Sequence, residues 1–443
     1  MAEDQEHEAR TTPDEFVQGD PIQCLLPWTA DRYISLLTSA KFGSLDTPLR
    51  GIAWRLFLGL LPAECTPDEW VLMANASREH YQELRARYVP LKGGLQVGGP
   101  GLLGELVETI DCDLQRLYIS GTDASFFMVE GRQSLMRSVL FVWSVSHQSL
   151  SYRQGMHELL ALIVLVLERD ADVLSARDKE LSVDGHGHAL SMLTAREHNE
   201  EDAFVMFERL MKHMEPFYAV CNELIGNVEK VQDTPLVVSC HRVQTVRLRS
   251  VEEPVSQMLD DLGIAPQVYC LRWLRLMFGR EFTLEAVLVI WDWLLVSAAP
   301  PPSSQRDPNV GGTGRGNPIR ESLELFATAV LVSLSETLMS VHEDAVIGVL
   351  INSQSAWSVP QLIACASALP PCERRSRKSG VVGAAAGKFV EGSSSFGGLG
   401  GVALGGVGKF LQKGRDRLRT RVARGNQEGE EPTLFTQSLS ASV

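Results

Sequence analysis

Residues able to do chemistry are gathered in three short runs of this 443-residue chain. "LRGIAW" carries Arg50 and Trp54, "IDCDLQR" carries Ile110, Asp113 and Arg116, and "SYRQGM" carries Tyr152, Gln154 and Gly155. Arginine presents a planar fork that can donate two hydrogen bonds at once, a capacity that Arg116 brings to the second run. On a helix Asp113 and Arg116, three apart, share one face beside an apolar stripe. Tyr152 and Gln154 head a run that continues into Leu159–Leu167, a nine-residue block without charge that calls for burial. Taken singly, the first pair reads as a solvated intrahelical ion pair and the second as the polar start of a buried helix.

Other chemistry fits less well. "GAAAGKF" and "GGVGKF" invite a phosphate-loop reading. However, the first glycine such a loop needs is replaced by Val382 or Ala403, and phenylalanine follows the lysine. His186 and His188 in "GHGH" have no further metal ligands nearby, and His147, between Ser146 and Ser149, lacks an orienting acid. The eight cysteines are scattered without a CxxC pair, a distribution expected of reduced thiols and not of a zinc site.

The elements that must position these residues read as helices. In "LLGELVETIDCDLQRLY", Leu103, Leu106, Val107, Ile110, Leu114 and Leu117 recur at three and four, and similar stripes run through 133–145, 204–214, 284–296 and 322–339. Strand-like patterns are confined to Leu236–Val238 and Val243–Val246, so the expected fold class is all-α. Asp184–Gly187 and Asp233–Val255 read as connections, and Ala298–Asn317 as a Pro/Gly-rich insertion. The expected organisation is a disordered acidic N-terminus over 1–24, a helical domain over 25–369 and a disordered Gly/Ser-rich basic tail over 370–443.

Hydrophobic residues make up 44% and charged residues 22%, ordinary for a soluble protein with a sizeable core. The start "MAEDQEHEAR" does not read as a signal peptide, and no apolar run reaches the length of a membrane span. The net charge is -14, yet Pro371–Gly425 holds twelve Lys/Arg against three acids, leaving -23 on the remainder. An acidic body with a basic tail argues against nucleic acid as a partner. If "KFLQKGRDRLRTRVAR" coils, Phe410, Leu411, Leu418 and Val422 fall on one side. That pattern suits an anionic membrane or a partner's groove, beside the plainer reading as a soluble basic linker.

Taken together and in order, RxxxW, IxxDxxR and YxQ resemble the three fingerprint motifs of the TBC domain, the Rab GTPase-activating family. "APQVYCLRWLRLMFGREF" and "WDWLL" downstream are similar to the C-terminal lobe of the same two-lobed domain, so the resemblance spans roughly Leu25–Leu369. His157 and Glu158, where many members have asparagine after QGM, point to a branch linked to late-endosomal Rabs and the retromer coat.

The resemblance implies a mechanism with two fingers. Arg116 matches the arginine that stabilises charge on the transferring phosphate, an effect worth about 10³–10⁵ in rate. Gln154 matches the glutamine that orients the attacking water. No cofactor of its own is implied, because GTP and Mg²⁺ arrive with the Rab. Arg50 is expected to pair with Asp113, with Trp54 and Tyr152 packed beneath and Ile110 and Gly155 supporting. The implied setting is cytoplasmic, peripheral at endosomal membranes. The rival reading is a catalytically silent TBC scaffold that binds a Rab or retromer. "LYISGTDASFF" after Arg116 departs from the family's usual threonine and proline, as does the 298–317 insertion.

Overall fold

The computed structural model describes residues 25–45, 47–89, 102–117, 119, 125–176, 185–219, 223–225, 228–230, 234–302, 317–352 and 358–370. The two termini, the basic tail and most of the 298–317 insertion therefore lie outside the described residues.

The first helices are α1 (Ala30–Lys41), α2 (Arg50–Phe57), α3 (Pro67–Tyr88), α4 (Leu102–Gln115), α5 (Glu130–Ser146), α6 (Met156–Ser175), α7 (Gly185–Leu193) and α8 (Asn199–Tyr218). A short antiparallel hairpin, β1 (Glu223–Ile225) with β2 (Val228–Lys230), follows in register Glu223↔Lys230. Then come α9 (Pro235–His241), α10 (Glu253–Asp261), α11 (Gln267–Arg275), α12 (Leu284–Val296), α13 (Pro318–Leu338), α14 (Val346–Asn352) and α15 (Val359–Ala368). The fold is all-α, as the periodicity requires, and two-lobed. Long α8 packs on α3, α5 and α6 on one side and on α9, α11 and α13 on the other, joining the lobes. α1 returns from the N-terminal side to pack on α12. Among the described residues no helix is long and apolar enough to cross a membrane.

The strand-like segments are corrected. Leu236–Val238 lies in α9, and Val243–Val246 lies in a π-helical turn, Arg242–Leu248, that continues it. β-branched valines mimic a strand locally. Pro235 in the first turn and Thr234, whose hydroxyl accepts from the Val237 amide, start a helix instead. The buried positions Val243 and Leu248 are five apart, a step that an ordinary turn rotates off the core and the wider π turn absorbs. Asp233–Val255 is thus mostly helical and not a connection. Likewise α7 begins at Gly185, inside the expected loop. Val107, Ile110 and Leu114 of α4 and Leu117 just beyond it are buried, while Leu103 in the first turn is exposed.

α6 is the centre of the N-terminal lobe. Every residue from Met156 to Glu168 is buried, and the helix meets α2, α4, α5, α7 and α8. Its Asp170 caps α2, which has no side-chain cap of its own: Oδ2 accepts from the Ile52 amide at 3.3 Å and also serves Gly51. A Cβ on Gly51 would sit 2.6 Å from that oxygen, so only glycine admits the carboxylate.

Burial pushes Asp170 up to about 7 from an ordinary 3.8, against the opposing pull of Arg55 and the α2 amides. The native state therefore holds this proton more tightly than the unfolded chain. Its contribution to stability is full below about pH 3.8 and is lost as pH rises through about 7. Asp170→Asn keeps an acceptor for α2 but cannot ionise. Between about pH 5 and 8, its thermal midpoint should decline less steeply than that of the unsubstituted chain, and parallel declines would sink this account.

Candidate functional site

The site forms where α4 ends beside the start of α6. The Tyr152 hydroxyl donates to Asp113 Oδ2 at 2.7 Å and lies 2.8 Å from His157 Nδ1. One hydrogen bond thus ties the turn before α6 to the last turn of α4. The chain turns out of α4 through the Arg116 amide, which donates to the Asp113 carbonyl at 3.2 Å, and the Arg116 side chain is exposed. Gln154, two residues beyond Tyr152, is exposed as well. The sequence-derived pair Arg116 and Gln154 therefore projects from neighbouring elements whose bases are bonded together. Ile110, fully buried one turn before Asp113, seats α4 on the core.

Gly155 makes the turn possible. Its φ is +98°, a left-handed conformation at the N-cap of α6, and a Cβ there would lie 2.8 Å from Leu276 Cδ2. Arg153 is exposed, and its amide donates to Met156 Sδ.

Beneath these tips lies a buried polar layer. Burial pushes the Tyr152 hydroxyl well above its ordinary range, reinforced by the bond to Asp113. It pulls His157 down to about 4, although Asp113 opposes this. Glu158 is raised by burial and steadied by Arg280, which grips it with two bonds, Nε to Oε2 at 2.7 Å and Nη2 to Oε1 at 2.8 Å. His157 is thus neutral near pH 7, and Glu158 is fully partnered.

The expected Arg50–Asp113 pair does not form. Arg50 Nε donates to Asp292 Oδ2 at 3.0 Å, and the Trp54 indole N–H donates to Asp292 Oδ1 at 2.7 Å. Four residues apart on α2, the two side chains close on one carboxylate of α12, and the Trp54 ring packs 5.5 Å from Trp291. RxxxW therefore locks α2 to the C-terminal lobe. Trp54 is buried as expected, but under α12 and not under the Arg116 helix. Burial raises Asp292 to about 6 despite Arg50 and Trp54.

Asp292, Asp170 and Arg280 were not picked out by motif reading, and His157 and Glu158 entered it only as marks of a branch and not as a buried polar layer. A signal for the acids was present: a lone carboxylate in an apolar helix such as Leu284–Val296 must find a partner when buried. The alternative sites do not assemble. Ser146 donates to the Val142 carbonyl and is not bonded to His147, whose ring stacks on Trp143. His188 is exposed, the His186 side chain lies outside the described residues, and no metal-holding cluster occurs among the described residues. Cys240 and Cys270 are buried and free, as expected of core thiols, whereas Cys112 is exposed. Tyr118 and 120–124, in the divergent run after Arg116, lie outside the described residues.

Unfolding experiments test this geometry. A double-mutant cycle on Arg50 and Asp292 should give a coupling of about 1–3 kcal/mol, while Arg50 and Asp113 should be additive within about 0.5 kcal/mol. The reverse pattern would restore the expected pairing. Gly155→Ala should lower stability by about 1 kcal/mol or more, and an unchanged denaturation midpoint would refute the strain argument.

Comparison with known proteins bears on the fold and the family. A family model of the Rab-GTPase-TBC domain matches residues 47–301. "TBC1 domain family member 5" of Mus musculus is 27% identical over 361 residues, covering 74% of this chain and 41% of the relative. "TBC1 domain family member 5 homolog B" of Dictyostelium discoideum is 25% identical over 372 residues, covering 58% of this chain and 36% of the relative. The chain thus spans about two fifths of the length of the relatives it matches. Among solved structures, the Ypt/Rab-GAP domain of Gyp1p superposes with a TM-score of 0.55 at 14% identity, covering 76% of this chain and 90% of that one, a likeness of fold.

Proposed function

The chain belongs to the Rab-GTPase-TBC domain family, and from that membership we propose that it accelerates GTP hydrolysis on a Rab GTPase by supplying Arg116 and Gln154 in trans. The observation that carries this reading is the Tyr152–Asp113 bond, which joins the bases of two elements whose exposed tips are those two side chains. As GTP is cleaved, negative charge builds on the oxygens of the transferring phosphate. Arg116 meets it with a fork that can donate twice, and Gln154 holds the attacking water in line. GTP and Mg²⁺ belong to the Rab. Ile110, Asp113, Tyr152 and Gly155 hold the tips in place, while Arg50 and Trp54 act at a distance by fixing α2 between the lobes.

We extend the domain to residues 25–369, because α1 packs on α12 and α15 on α13 beyond the matched range. The 298–317 segment is read as an insertion anchored at both ends. Tyr33 donates to the Pro300 carbonyl at 2.8 Å, and Asn317 caps α13 by accepting from the Arg320 amide at 3.1 Å. The likeness of "YRQGMHELLALI" and "EEDAFVMFERLMKHMEPFY" to the member 5 branch supports a late-endosomal Rab, retromer as a further partner and a place on the cytoplasmic face of endosomes. Anionic-membrane contact through the basic tail is proposed from its charge and from the one-sided spacing of Phe410, Leu411, Leu418 and Val422.

The test is phosphate release from a panel of GTP-loaded Rabs. At least one Rab should be accelerated by the unsubstituted chain. Arg116→Ala should remove about 10³-fold or more of that acceleration, Arg116→Lys should not rescue it, and Gln154→Ala should cost about 10²-fold. Binding of a GTP-loaded Rab without acceleration would instead establish the scaffold reading.

A further inference from the structure

We propose that His157 is a positioning residue for the Arg116 side of the site: with its proton on Nδ1, it donates to the Tyr152 hydroxyl and thereby commits the Tyr152 proton to Asp113. This deepens the GTPase-activating reading and rests on it for its kinetic consequence.

The argument is one of proton counting. The Tyr152 oxygen lies 2.7 Å from Asp113 Oδ2 and 2.8 Å from His157 Nδ1, both within hydrogen-bond range. A phenol has one proton, and a carboxylate can only accept. If the Tyr152 proton serves Asp113, then Nδ1 must bring its own. If Nδ1 is bare, it competes with Asp113 for the single Tyr152 proton, and whenever it wins, two oxygens are left 2.7 Å apart with no hydrogen between them. The latch between α4 and the α6 turn then opens. The tautomer of His157 thus decides whether Arg116 and Gln154 share a rigid base.

The surroundings favour the closed arrangement. His157 is 3% exposed, so its uncharged form is preferred. Its other nitrogen, Nε2, is 3.9 Å from Glu158 Oε1, too far to bond, and both Glu158 oxygens are occupied by Arg280. Nδ1 has only the Asp113–Tyr152 side to address, with Asp113 Oδ2 itself 3.6 Å away. The charged and titratable groups near the imidazole are thus Asp113 from α4, Tyr152 from the turn, Glu158 from its own helix and Arg280 from the α11–α12 connection. Tyr218 of α8 closes the layer against Gly155.

Nitrogen-15 histidine spectra of the full chain at pH 7, assigned by the signal missing from His157→Asn, should show Nδ1 protonated and Nε2 bare. An Nε2–H tautomer overturns the inference whatever the kinetics. In phosphate release, His157→Leu should lower kcat by about 10–100-fold while KM for the GTP-loaded Rab stays within about twofold. His157→Asn, whose amide nitrogen falls near the place of Nδ1, should keep most of the rate. Tyr152→Phe should reproduce the loss, and the double variant with His157→Leu should be no slower than either alone. Tyr152→Phe also serves if His157→Leu fails to fold. Additive losses, or a change in KM alone, overturn the positioning role. If the unsubstituted chain accelerates no Rab, the functional reading fails and the tautomer alone decides: Nδ1–H upholds the latch and Nε2–H removes it.

Discussion

Burial of α6 on every side from Met156 to Glu168 is the constraint from which the rest of the N-terminal lobe follows. A buried polar side chain on such a stretch cannot be left to water, and each one becomes a demand for a partner from elsewhere. His157 meets that demand with Tyr152, Glu158 with Arg280, Glu168 with Asn199, and Asp170 with the amides that open α2. Four residues on one helix thereby fix the α6 turn, the α11–α12 connection, the start of α8 and the start of α2. The apolar block Leu159–Leu167 supplies the burial, and the polar residues around it convert that burial into orientation.

The same rule operates beyond α6. Asp292 on α12 and Glu324 on α13 are buried acids on mainly apolar helices, and each is answered by arginine from another element. Arg55 and Arg78 likewise converge on Asp202 of α8. Such pairs add little net stability once desolvation is counted, because an apolar replacement of similar shape would often serve as well. What they contribute here is register: a guanidinium that must reach one carboxylate leaves its helix little freedom to slide.

Against this interior, the two exposed tips stand out by contrast. Arg116 and Gln154 are the motif side chains left in solvent with bases that are tied down. A group that is to meet charge on another molecule benefits from having its backbone ordered in advance, since ordering it during the encounter would cost affinity and rate. The Asp113–Tyr152–His157 chain lies directly below the tips and supplies that order from within the fold.

Several features were legible from the amino-acid order alone. The three- and four-residue spacing of apolar side chains marked the helices and the charge-free run marked α6 as buried, while the motif spacing singled out Arg116 and Gln154, which the structure leaves exposed. All of these are local: period and composition are set by neighbours in the chain, so the chain itself displays them. Locality also explains the errors. The valines of 236–246 carry a strand preference that Thr234, Pro235 and the packing of Val243 and Leu248 override. The partner of Arg50 was not legible. Asp113 and Asp292 were both available acids, and the choice depended on α12 passing under α2, a contact across 242 residues of sequence. Sequence by itself determined where the helices run and which charge-free stretch must be buried. Only the tertiary structure decided which buried charge answers which, because that choice is made by distances between helices that no local pattern encodes.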